Sequence, residues 1–559
     1  MGEGEEAASV EAGDEVRADE SVQEQAQEPA QVSGGGEPEN LEWDDHARTR
    51  VRILLGSILL VALCSITYEL VIGTVSSYLL GDSVYQFSLT IGLYMSAMGL
   101  GSYLSRFITK DLLRAFFWVE LGVGILGGAS SALLFGVFAY TPYFGPVMWA
   151  LTIAIGTLVG LEIPLLTRYV RRYADLRLAL ANVLSWDYVG SLAGSLAFPL
   201  LLLPMLGLLN SAAIVGMINI MVTIAGMVLF RDELGKPGLL GAAALASMAL
   251  LVGLFFGSDE YEKFLDKRMF QDPVLHTEQT QYQKLTLTVW KGRDYRLFIN
   301  GNIQFSSVDE YRYHEALVYP TMAAARGNED VLILGGGDGL AVRQVQRFQD
   351  VKTITMVDLD PKMTELAREH PVMKRLNEGA MDDDRLTVAN ADAMSYLLDT
   401  QRRWDVILID LPDPNNEALA KLYSVGFYRL VRNHLKPGGA MVTQSSSVYF
   451  APNSFWSIHK TIESAFCPEG GCAPGNERVT PYHVWVPTFG DWGFNLATRE
   501  DHDPSQWNIQ AGGAFLTPDT MSAALHFTPD VLERDVATNR LVEPVLLRYY
   551  MDDWRRFNN

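Results

Sequence analysis

The acidic residues best placed to do chemistry stand at the ends of apolar, strand-like runs. Asp338 lies in the glycine-rich turn after the run 331–334, and Asp358, Asp392 and Asp410 end or follow later runs of the same kind. Any one of these acids could be only a helix cap, but that explanation does not suit the whole set. The set favours a nucleotide and a cation as ligands.

The elements that would position these acids are parallel strands. The sequence at 334–339, Leu-Gly-Gly-Gly-Asp-Gly, lets backbone amides approach a ligand closely, and 340–348 is the helix predicted to pack back on the sheet. Further strands are predicted at 353–358, 385–390 and 404–410. In an open α/β sheet the carboxyl ends of such strands face one crevice, so the acids should converge, with Asp413 close by.

The spacing after the glycines favours an adenosine over NAD. NAD-binding turns follow Gly-x-Gly-x-x-Gly, but Leu340 or Val342 occupies the last glycine position, depending on which glycine starts the count. Asp358 follows the glycines by roughly 20 residues, the distance at which an acid accepts hydrogen bonds from ribose hydroxyls. Asp392 stands where an adenine amino group could donate to it.

Several motifs of the second half of the chain resemble one enzyme family in order and spacing. They are Gln-Tyr-Gln at 281–283, the run 297–304, Asp-Glu-Tyr-Arg-Tyr-His-Glu at 309–315, Leu-Tyr-Ser at 422–424, Phe-Tyr at 427–428, Leu-Lys-Pro-Gly-Gly at 435–439, and the run 486–494. The segment from about 274 to 494, some two-fifths of the chain, thus resembles the spermidine synthases, which are polyamine aminopropyltransferases.

The resemblance implies transfer of an aminopropyl group from decarboxylated S-adenosylmethionine to putrescine, which gives spermidine and methylthioadenosine. The donor is a co-substrate, so no cofactor is implied. A protonated amine has no lone pair, and a base must take its proton before the amine attacks the carbon next to the sulfonium. By resemblance that base is Asp410. The resemblance also implies that the amine is bound by His314, Asp338, Asp413, Tyr313 and Gln304. It implies that the nucleoside is bound by Gln283, Asp358, Asp392 and Ala393.

Two other functions fit the same fold. An S-adenosylmethionine-dependent methyltransferase usually carries an acid just before its glycine turn, where this chain has Leu334. Asp338 and Asp410 would also repel the carboxylate of ordinary S-adenosylmethionine. A polyamine sensor or transporter would bind amines without turnover, and such a site has no need for a base.

The acceptor amine is less well defined than the donor. Phe489 stands where many family members have tyrosine, so one hydroxyl that could contact a diamine is missing. The loop after Asp410 also lacks a later proline that family members use near the adenine. Because one neutral hydrogen bond contributes only about 0.5–1.5 kcal/mol, putrescine stays the expected acceptor, with cadaverine, spermidine or another amine as alternatives.

The first half of the chain predicts a membrane domain. Apolar residues concentrate between Val51 and Gly257, in stretches near the 20 residues or so that a bilayer core requires. Seven spans are predicted, at about 51–73, 86–106, 115–138, 146–167, 187–207, 211–230 and 238–257. Glu69, Glu120 and Glu162 lie inside them, which suggests either hydrogen bonds between helices or a path for a cation.

The placement of basic residues predicts a cell-membrane protein with its amino terminus inside. Lys and Arg gather before the first span and after the second, fourth and sixth. Seven spans would then put the catalytic domain outside, where the donor should not occur. We therefore expect a cytoplasmic active site and one miscounted element, such as a segment at 51–81 that re-enters.

The remaining predictions concern organisation and partners. The predicted domain boundaries are 1–47 (disordered acidic tail), 48–257 (membrane), 258–272 (linker), 273–320 (small β subdomain), 321–500 (Rossmann-like, class I methyltransferase-like α/β domain) and 501–559 (helical cap). The tail carries fifteen acids against the lone Arg17. Cys64, Cys467 and Cys472 are too few for a zinc site, and no basic patch suggests nucleic acid. Homo-oligomers are common in the family.

Overall fold

The computed structural model describes residues 45–80, 83–171, 176–236, 238–270, 272–467, 478–500, 502–509 and 513–557. The predicted tail at 1–47 therefore lies almost wholly outside the described residues, as does Cys472. Helix already begins at Asp45, inside the predicted tail.

The first part of the chain is a bundle of helices. They are α1 (Asp45–Leu80), α2 (Ser83–Leu104), α3 (Leu112–Gly128), α4 (Ser130–Tyr140), α5 (Phe144–Val170), α6 (Leu176–Ala197), α7 (Leu203–Leu229), α8 (Arg231–Leu234), α9 (Gly238–Phe256) and α10 (Ser258–Met269). A π-helical turn, Phe198–Leu202, joins α6 to α7. Glycines let the helices approach closely, since a Cβ on Gly156 would lie 2.8 Å from the Tyr94 carbonyl oxygen of α2.

Among the described residues, four helical stretches are long and apolar enough to cross a membrane: Ile53–Leu80, Phe144–Val170, Leu180–Leu229 and Gly238–Phe256. The pair α3 and α4, bent by 45°, passes the same test when taken together and raises the number to five. This differs from the seven predicted spans because Leu180–Leu229 contains two of them and α2 does not pass. The re-entrant segment predicted at 51–81 is wrong, since α1 is one continuous helix.

The predicted linker is mostly a helix, α10, that packs on the bundle. The Tyr261 hydroxyl donates to the Ala132 carbonyl oxygen at 2.8 Å, and the rings of Phe264 and Tyr140 stack with centroids 5.9 Å apart. These contacts connect the end of the bundle to the start of the next domain.

A small antiparallel sheet comes next. Its strands, in sheet order, are β1 (Val274–Gln279), β2 (Lys284–Trp290), β3 (Asp294–Ile299) and β4 (Asn302–Ser306). Asn300 and Gly301 form the two-residue turn between β3 and β4, both with positive φ, as such hairpins require. Helix α11 (Glu310–Ala324) follows and packs against the larger sheet, so the predicted boundary at residue 320 falls inside a helix.

The larger sheet has seven strands. They are β5 (Asp330–Gly335), β6 (Thr353–Asp358), β7 (Leu386–Asn390), β8 (Trp404–Asp410), β9 (Leu435–Ser447), β10 (Val479–Val486) and β11 (Gly490–Thr498). The order is β10-β11-β9-β8-β5-β6-β7, with β9, β8, β5, β6 and β7 parallel. The order reverses between β5 and β8, and such switch points are where open α/β sheets bind ligands. The predicted Rossmann-like fold is confirmed.

Short helices cover this sheet and extend to the end of the chain. They are α12 (Leu340–Val345), α13 (Pro361–Glu369), α14 (Pro371–Leu376), α15 (Ala393–Asp399), α16 (Glu417–Ala420), α17 (Val425–Asn433), α18 (Pro452–Phe466), α19 (Pro518–Ala524) and α20 (Val545–Arg555). The cap is less helical than predicted. Between α19 and α20 the chain is largely irregular, and Asn539 fixes it by donating to the carbonyl oxygens of Ala420 and Tyr423 at 2.9 and 3.1 Å.

Candidate active site

The glycine turn brings the end of β5 against the end of β8. Gly335 is paired with Asp410 in the parallel ladder, and the Gly336 amide donates to the Asp410 carbonyl oxygen at 3.1 Å. Gly335 has a φ of 84°, and a side chain there would collide with that same oxygen. Glycine is thus needed for the turn to pass beside Asp410.

Helix α11 delivers an aromatic hydroxyl to this strand end. The Tyr313 hydroxyl donates to Oδ1 of Asp410 at 2.6 Å. Its ring is buried between His314 and Phe494, with centroids 5.0 and 5.3 Å away. Packing on both sides fixes the direction of the hydroxyl, so the carboxylate of Asp410 has one orientation.

His314 is held by a buried ion network behind the site. Its Nδ1 lies 2.8 Å from Oε2 of Glu310, and Arg343 donates to both oxygens of that carboxylate at 2.7 and 2.9 Å. Burial alone would lower the pKa of His314, but Glu310 outweighs it, and the nearby Asp338 and Asp410 add to the rise, so the pKa is raised. The positively charged form of His314 is therefore favoured beside Asp338 and Asp410.

Asp338 projects from the glycine turn into the same group. Its Oδ1 accepts from the Leu340 amide at 2.9 Å, and it interacts electrostatically with His314 and Asp410. Burial raises the pKa of Asp338 to about 6, with Asp410 adding to the rise and His314 opposing it. A carboxylate held in this way gains from a cationic ligand that restores its charge.

Asp413 is held by three side chains from two other elements, β9 and α20. Gln444 and Ser446 donate to its two oxygens at 3.2 and 3.1 Å, and Tyr550 of α20 also hydrogen-bonds to it. Burial raises the pKa of Asp413 to about 6 despite these donors. Ser446 has a φ of 64°, a strained conformation for a residue other than glycine. This conformation directs its hydroxyl toward Asp413.

Asp358 lies on the other side of the glycine turn. Its oxygens accept from the amides of Gly337 and Asp360 at 3.0 and 2.9 Å. Burial raises the pKa of Asp358 to about 6, although both amides oppose the rise. A Cβ on Gly337 would lie 2.5 Å from Oδ2, so glycine permits this contact.

Gln283 belongs to a turn that is hydrogen-bonded to the loop after Asp358. The Thr280 hydroxyl donates to Oδ2 of Asp360 at 2.7 Å and accepts from the Gln283 amide at 3.0 Å. Since Asp360 bonds to Asp358 in turn, the small sheet is connected to the nucleoside side of the site.

Asp392 and Ala393 begin α15 at the end of β7. Asp392 caps that helix, with Oδ1 accepting from the Ser395 amide at 2.9 Å, while its Oδ2 pairs with Lys421 at 3.0 Å. Burial opposes ionisation of Asp392, but these bonds outweigh it and the pKa is lowered. Asp392 is thus an ionised helix cap, and an adenine would have to share it with Lys421.

Two predicted features show no direct contact with the acids. Gln304 on β4 donates to the Asn302 carbonyl oxygen at 3.1 Å, and none of its described contacts joins it to the carboxylates. Phe489 packs edge-on near Tyr313, with centroids 6.2 Å apart. Its turn is fixed by Asp309, whose Oδ2 accepts from both the amide and the hydroxyl of Thr488 at 2.7 Å.

Several supporting residues were not found by sequence reasoning. They are Arg343, Asp360, Gln444, Ser446 and Tyr550. Gln444 and Ser446 end a strand of the same sheet and could have been found by the rule that located the acids. Tyr550 comes from the last helix, and no local signal places it near Asp413.

Comparisons with known proteins decide between the candidate functions. The sequence profile of the spermine/spermidine synthase domain matches residues 310–508. The polyamine aminopropyltransferase of Oceanobacillus iheyensis is 40% identical over 524 residues, which is 92% of this chain and 100% of that protein. The chain belongs to the polyamine aminopropyltransferase family.

Other aminopropyltransferases are similar to this chain over most of its length. Polyamine aminopropyltransferase 2 of Ralstonia nicotianae is 44% identical over 90% of this chain and 98% of its own. Such matches are far longer than the segment after residue 257, so they include much of the helical bundle. The crystal structure of spermidine synthase from Thermotoga maritima has a TM-score of 0.41 and 22% identity, and it covers 46% of this chain and 84% of its own.

The family defines the reaction in general terms. This aminopropyltransferase takes its aminopropyl group from decarboxylated S-adenosylmethionine, a co-substrate, and the reaction uses no separate cofactor. The methyltransferase alternative is therefore not retained.

Proposed function

We propose that this aminopropyltransferase makes spermidine from putrescine, with Asp410 as the general base. The hydrogen bond from Tyr313 to Oδ1 of Asp410 carries the proposal, because it fixes one oxygen and leaves Oδ2 to take a proton from the amine. The freed nitrogen lone pair attacks the carbon next to the sulfonium. A C–N bond forms, the C–S bond breaks with its electron pair on sulfur, and methylthioadenosine leaves.

The two ends of the cationic substrates meet different acids. Asp338 lies beside Asp410 and His314, which suits the ammonium group nearest the reacting carbon. Asp413 is held by Gln444, Ser446 and Tyr550 and would take the distant ammonium of the acceptor. Tyr313 lines the passage between them, since it interacts with both Asp410 and Asp413.

The nucleoside is assigned to the β6 and β7 strand ends. Asp358 and Gln283 would receive the ribose hydroxyls, and Asp392 with the Ala393 amide would receive the adenine. Support comes from the hydrogen bond between the Thr280 hydroxyl and Asp360. It comes also from the parallel pairing of β6 with β7, which places Asp358 beside Asn390.

The acceptor is testable with a panel of amines. Purified full-length protein would be incubated with decarboxylated S-adenosylmethionine and equimolar putrescine, cadaverine and spermidine, and the products would be identified by mass spectrometry. Spermidine as the dominant product supports the proposal. A dominant product from cadaverine or spermidine would assign another acceptor while leaving the family reaction intact.

We also propose that the bundle is embedded in the cell membrane and that the active site faces the cytoplasm. Support comes from the four or five apolar helical stretches and from the basic residues in alternate loops. The donor is made and used inside cells, which requires an even number of crossings if the amino terminus is inside. Protease digestion of the catalytic domain in inverted but not in right-side-out vesicles is expected. The opposite pattern would place the active site outside.

A further inference from the structure

The helical bundle buries a second group of acids, distant in sequence from the catalytic ones. Glu120 is the ninth residue of α3, which has seventeen, and Glu162 lies within α5. They interact with each other, and Glu162 also interacts with Asp187 of α6. Charged groups at such mid-helix positions are the most costly in a membrane protein.

These side chains leave an unusual number of polar atoms unpartnered. Glu120 is fully buried, and apart from the nearby Asn219 side chain none of the residues that the structure describes hydrogen-bonds to its carboxylate oxygens. The same holds for Oε1 of Glu162, for Oδ1 of Asn219 and for the hydroxyl of Tyr68, whose residues are 4%, 0% and 0% exposed. A buried polar atom normally has a partner, so this set indicates a missing ligand.

The unpartnered atoms converge from separate helices. Tyr68 of α1 interacts electrostatically with both Glu120 and Glu162, so its hydroxyl lies near the two carboxylates. Asn219 of α7 donates from Nδ2 to the backbone oxygen of Glu120 at 3.2 Å, which puts its free Oδ1 in the same region. Tyr94 of α2 closes the group by donating to the Ser65 carbonyl oxygen at 2.9 Å.

The group needs a cation. None of the basic side chains described in the structure pairs with Glu120 or Glu162, and nearby Arg168 is used by the carbonyl oxygens of Ser105 and Ile108. A proton would neutralise one carboxylate but would leave most of the acceptor oxygens unsatisfied. An ammonium group brings three N–H donors with its charge and matches an acceptor-rich, donor-poor site.

We propose that the helical bundle binds an organic amine in its ammonium form between Glu120 and Glu162, at a site separate from the catalytic one. Tyr68 and Asn219 supply further oxygen acceptors. Pro164, one turn after Gly160 in α5, leaves that carbonyl without its helical donor, next to Glu162. Membrane proteins that handle small cations often place such sites at mid-depth beside interrupted helices.

The test measures spermidine binding to detergent-purified full-length protein that carries Asp338→Asn and Asp413→Asn, so that the catalytic amine site is disabled. Equilibrium dialysis with radiolabelled spermidine is expected to show about one site per chain. Adding Glu120→Gln and Glu162→Gln should weaken this binding at least tenfold. Asp111→Asn is the matched control, because it neutralises an exposed acid of the same bundle, and it should change nothing.

A milder variant distinguishes a loss of binding from a loss of folding. Tyr68→Phe removes a hydroxyl that has no hydrogen-bond partner among the described residues, so it should leave thermal stability and catalytic turnover unchanged while weakening spermidine binding several-fold. Binding unchanged in Tyr68→Phe and in the Glu120→Gln, Glu162→Gln protein would overturn the proposal. Displacement of spermidine by sodium but not by choline at equal ionic strength would also overturn it, in favour of a metal-cation site. Neither result bears on aminopropyl transfer, which is measured separately with the catalytic acids intact.

Discussion

The hydroxyl of Tyr313 and the carboxylate of Asp410 are joined by a 2.6 Å hydrogen bond, although the two residues are 97 positions apart. The bond connects α11 to the end of β8, across the crevice where the strand order reverses. It selects which oxygen of Asp410 stays free to act as a base.

Tyr313→Phe is expected to slow aminopropyl transfer roughly 10–100-fold, because a hydrogen bond to a charged group contributes about 1.5–3 kcal/mol. The KM for the donor should stay the same, since Tyr313 lies on the amine side.

The matched control for this change is Tyr319→Phe on the same helix. Its hydroxyl donates to Oε1 of Gln344 at 3.1 Å, away from the acids. Equal losses of activity in the two variants would mean that Tyr313 serves only to pack α11.

Thr280→Val is expected to raise the KM for the donor about tenfold and to leave the KM for the amine unchanged. The change removes the 2.7 Å bond to Asp360 that ties the Gln283 turn to the nucleoside side. Thr277→Val is the control, since its hydroxyl contacts that of Thr286 at 3.4 Å, within the small sheet. A rise in the amine KM instead would show that this turn belongs to the acceptor site.

Tyr550→Phe should raise the KM of the acceptor several-fold, since the hydroxyl helps to hold Asp413. The neighbouring Tyr549 accepts from the Ala537 amide at 3.2 Å and supports the irregular segment before α20. Tyr549→Phe should therefore lower thermal stability without changing the KM. Steady-state kinetics with both variants separate a role in binding from a role in folding.

The acidity of the site predicts a pH dependence with a definite sign. Burial raises the pKa of Asp338, Asp358 and Asp413 to about 6 from an ordinary 3.8. Below this pH Asp338 and Asp413 become neutral and cannot pair with ammonium groups, so kcat/KM for the amine should fall roughly tenfold per pH unit per essential group. A flat profile between about pH 5 and pH 7 would contradict the proposed amine contacts.

The same shifts act on the stability of the ligand-free protein in the opposite sense. Because the folded pKa lies above the unfolded one, these acids stabilise the fold when protonated, and that contribution is lost as pH rises through about 6. Added amine should restore stability most strongly above pH 6. Thermal unfolding with and without spermidine at two pH values measures both effects.

Glu310→Gln is expected to destabilise the protein by about 3–5 kcal/mol, because it leaves the buried Arg343 without its charged partner. Both side chains are under 10% exposed, at 7% and 8%. The exposed pair Lys352 and Glu329 offers the control, and Glu329→Gln should not change the unfolding temperature measurably.

The catalytic fold was predictable because its signals are local. Strand runs that end in Asp358 and Asp410, and glycines that a tight turn requires, together identify a parallel sheet with acids at one edge. The convergence of Asp338, Asp410 and Asp413 follows from sheet geometry alone.

The features that sequence reasoning missed depend on tertiary contacts. The sequence around Asp392 does not reveal that Lys421, 29 positions away, pairs with this acid. The cap was predicted to be helical, because apolar spacing does not reveal that the Asn539 side chain holds the segment between α19 and α20 in an irregular form. The predicted break between the spans at 187–207 and 211–230 coincides with Gly207, whose φ of 70° interrupts the long apolar stretch Leu180–Leu229.

The central claim is most directly tested with Asp410→Asn in a single-turnover experiment on full-length protein with decarboxylated S-adenosylmethionine and putrescine. The variant is expected to bind both substrates with unchanged affinity, while release of methylthioadenosine slows roughly 10²–10⁴-fold, the range for loss of a general base. Turnover within a few-fold of the unaltered protein would contradict the assignment of Asp410 as the base.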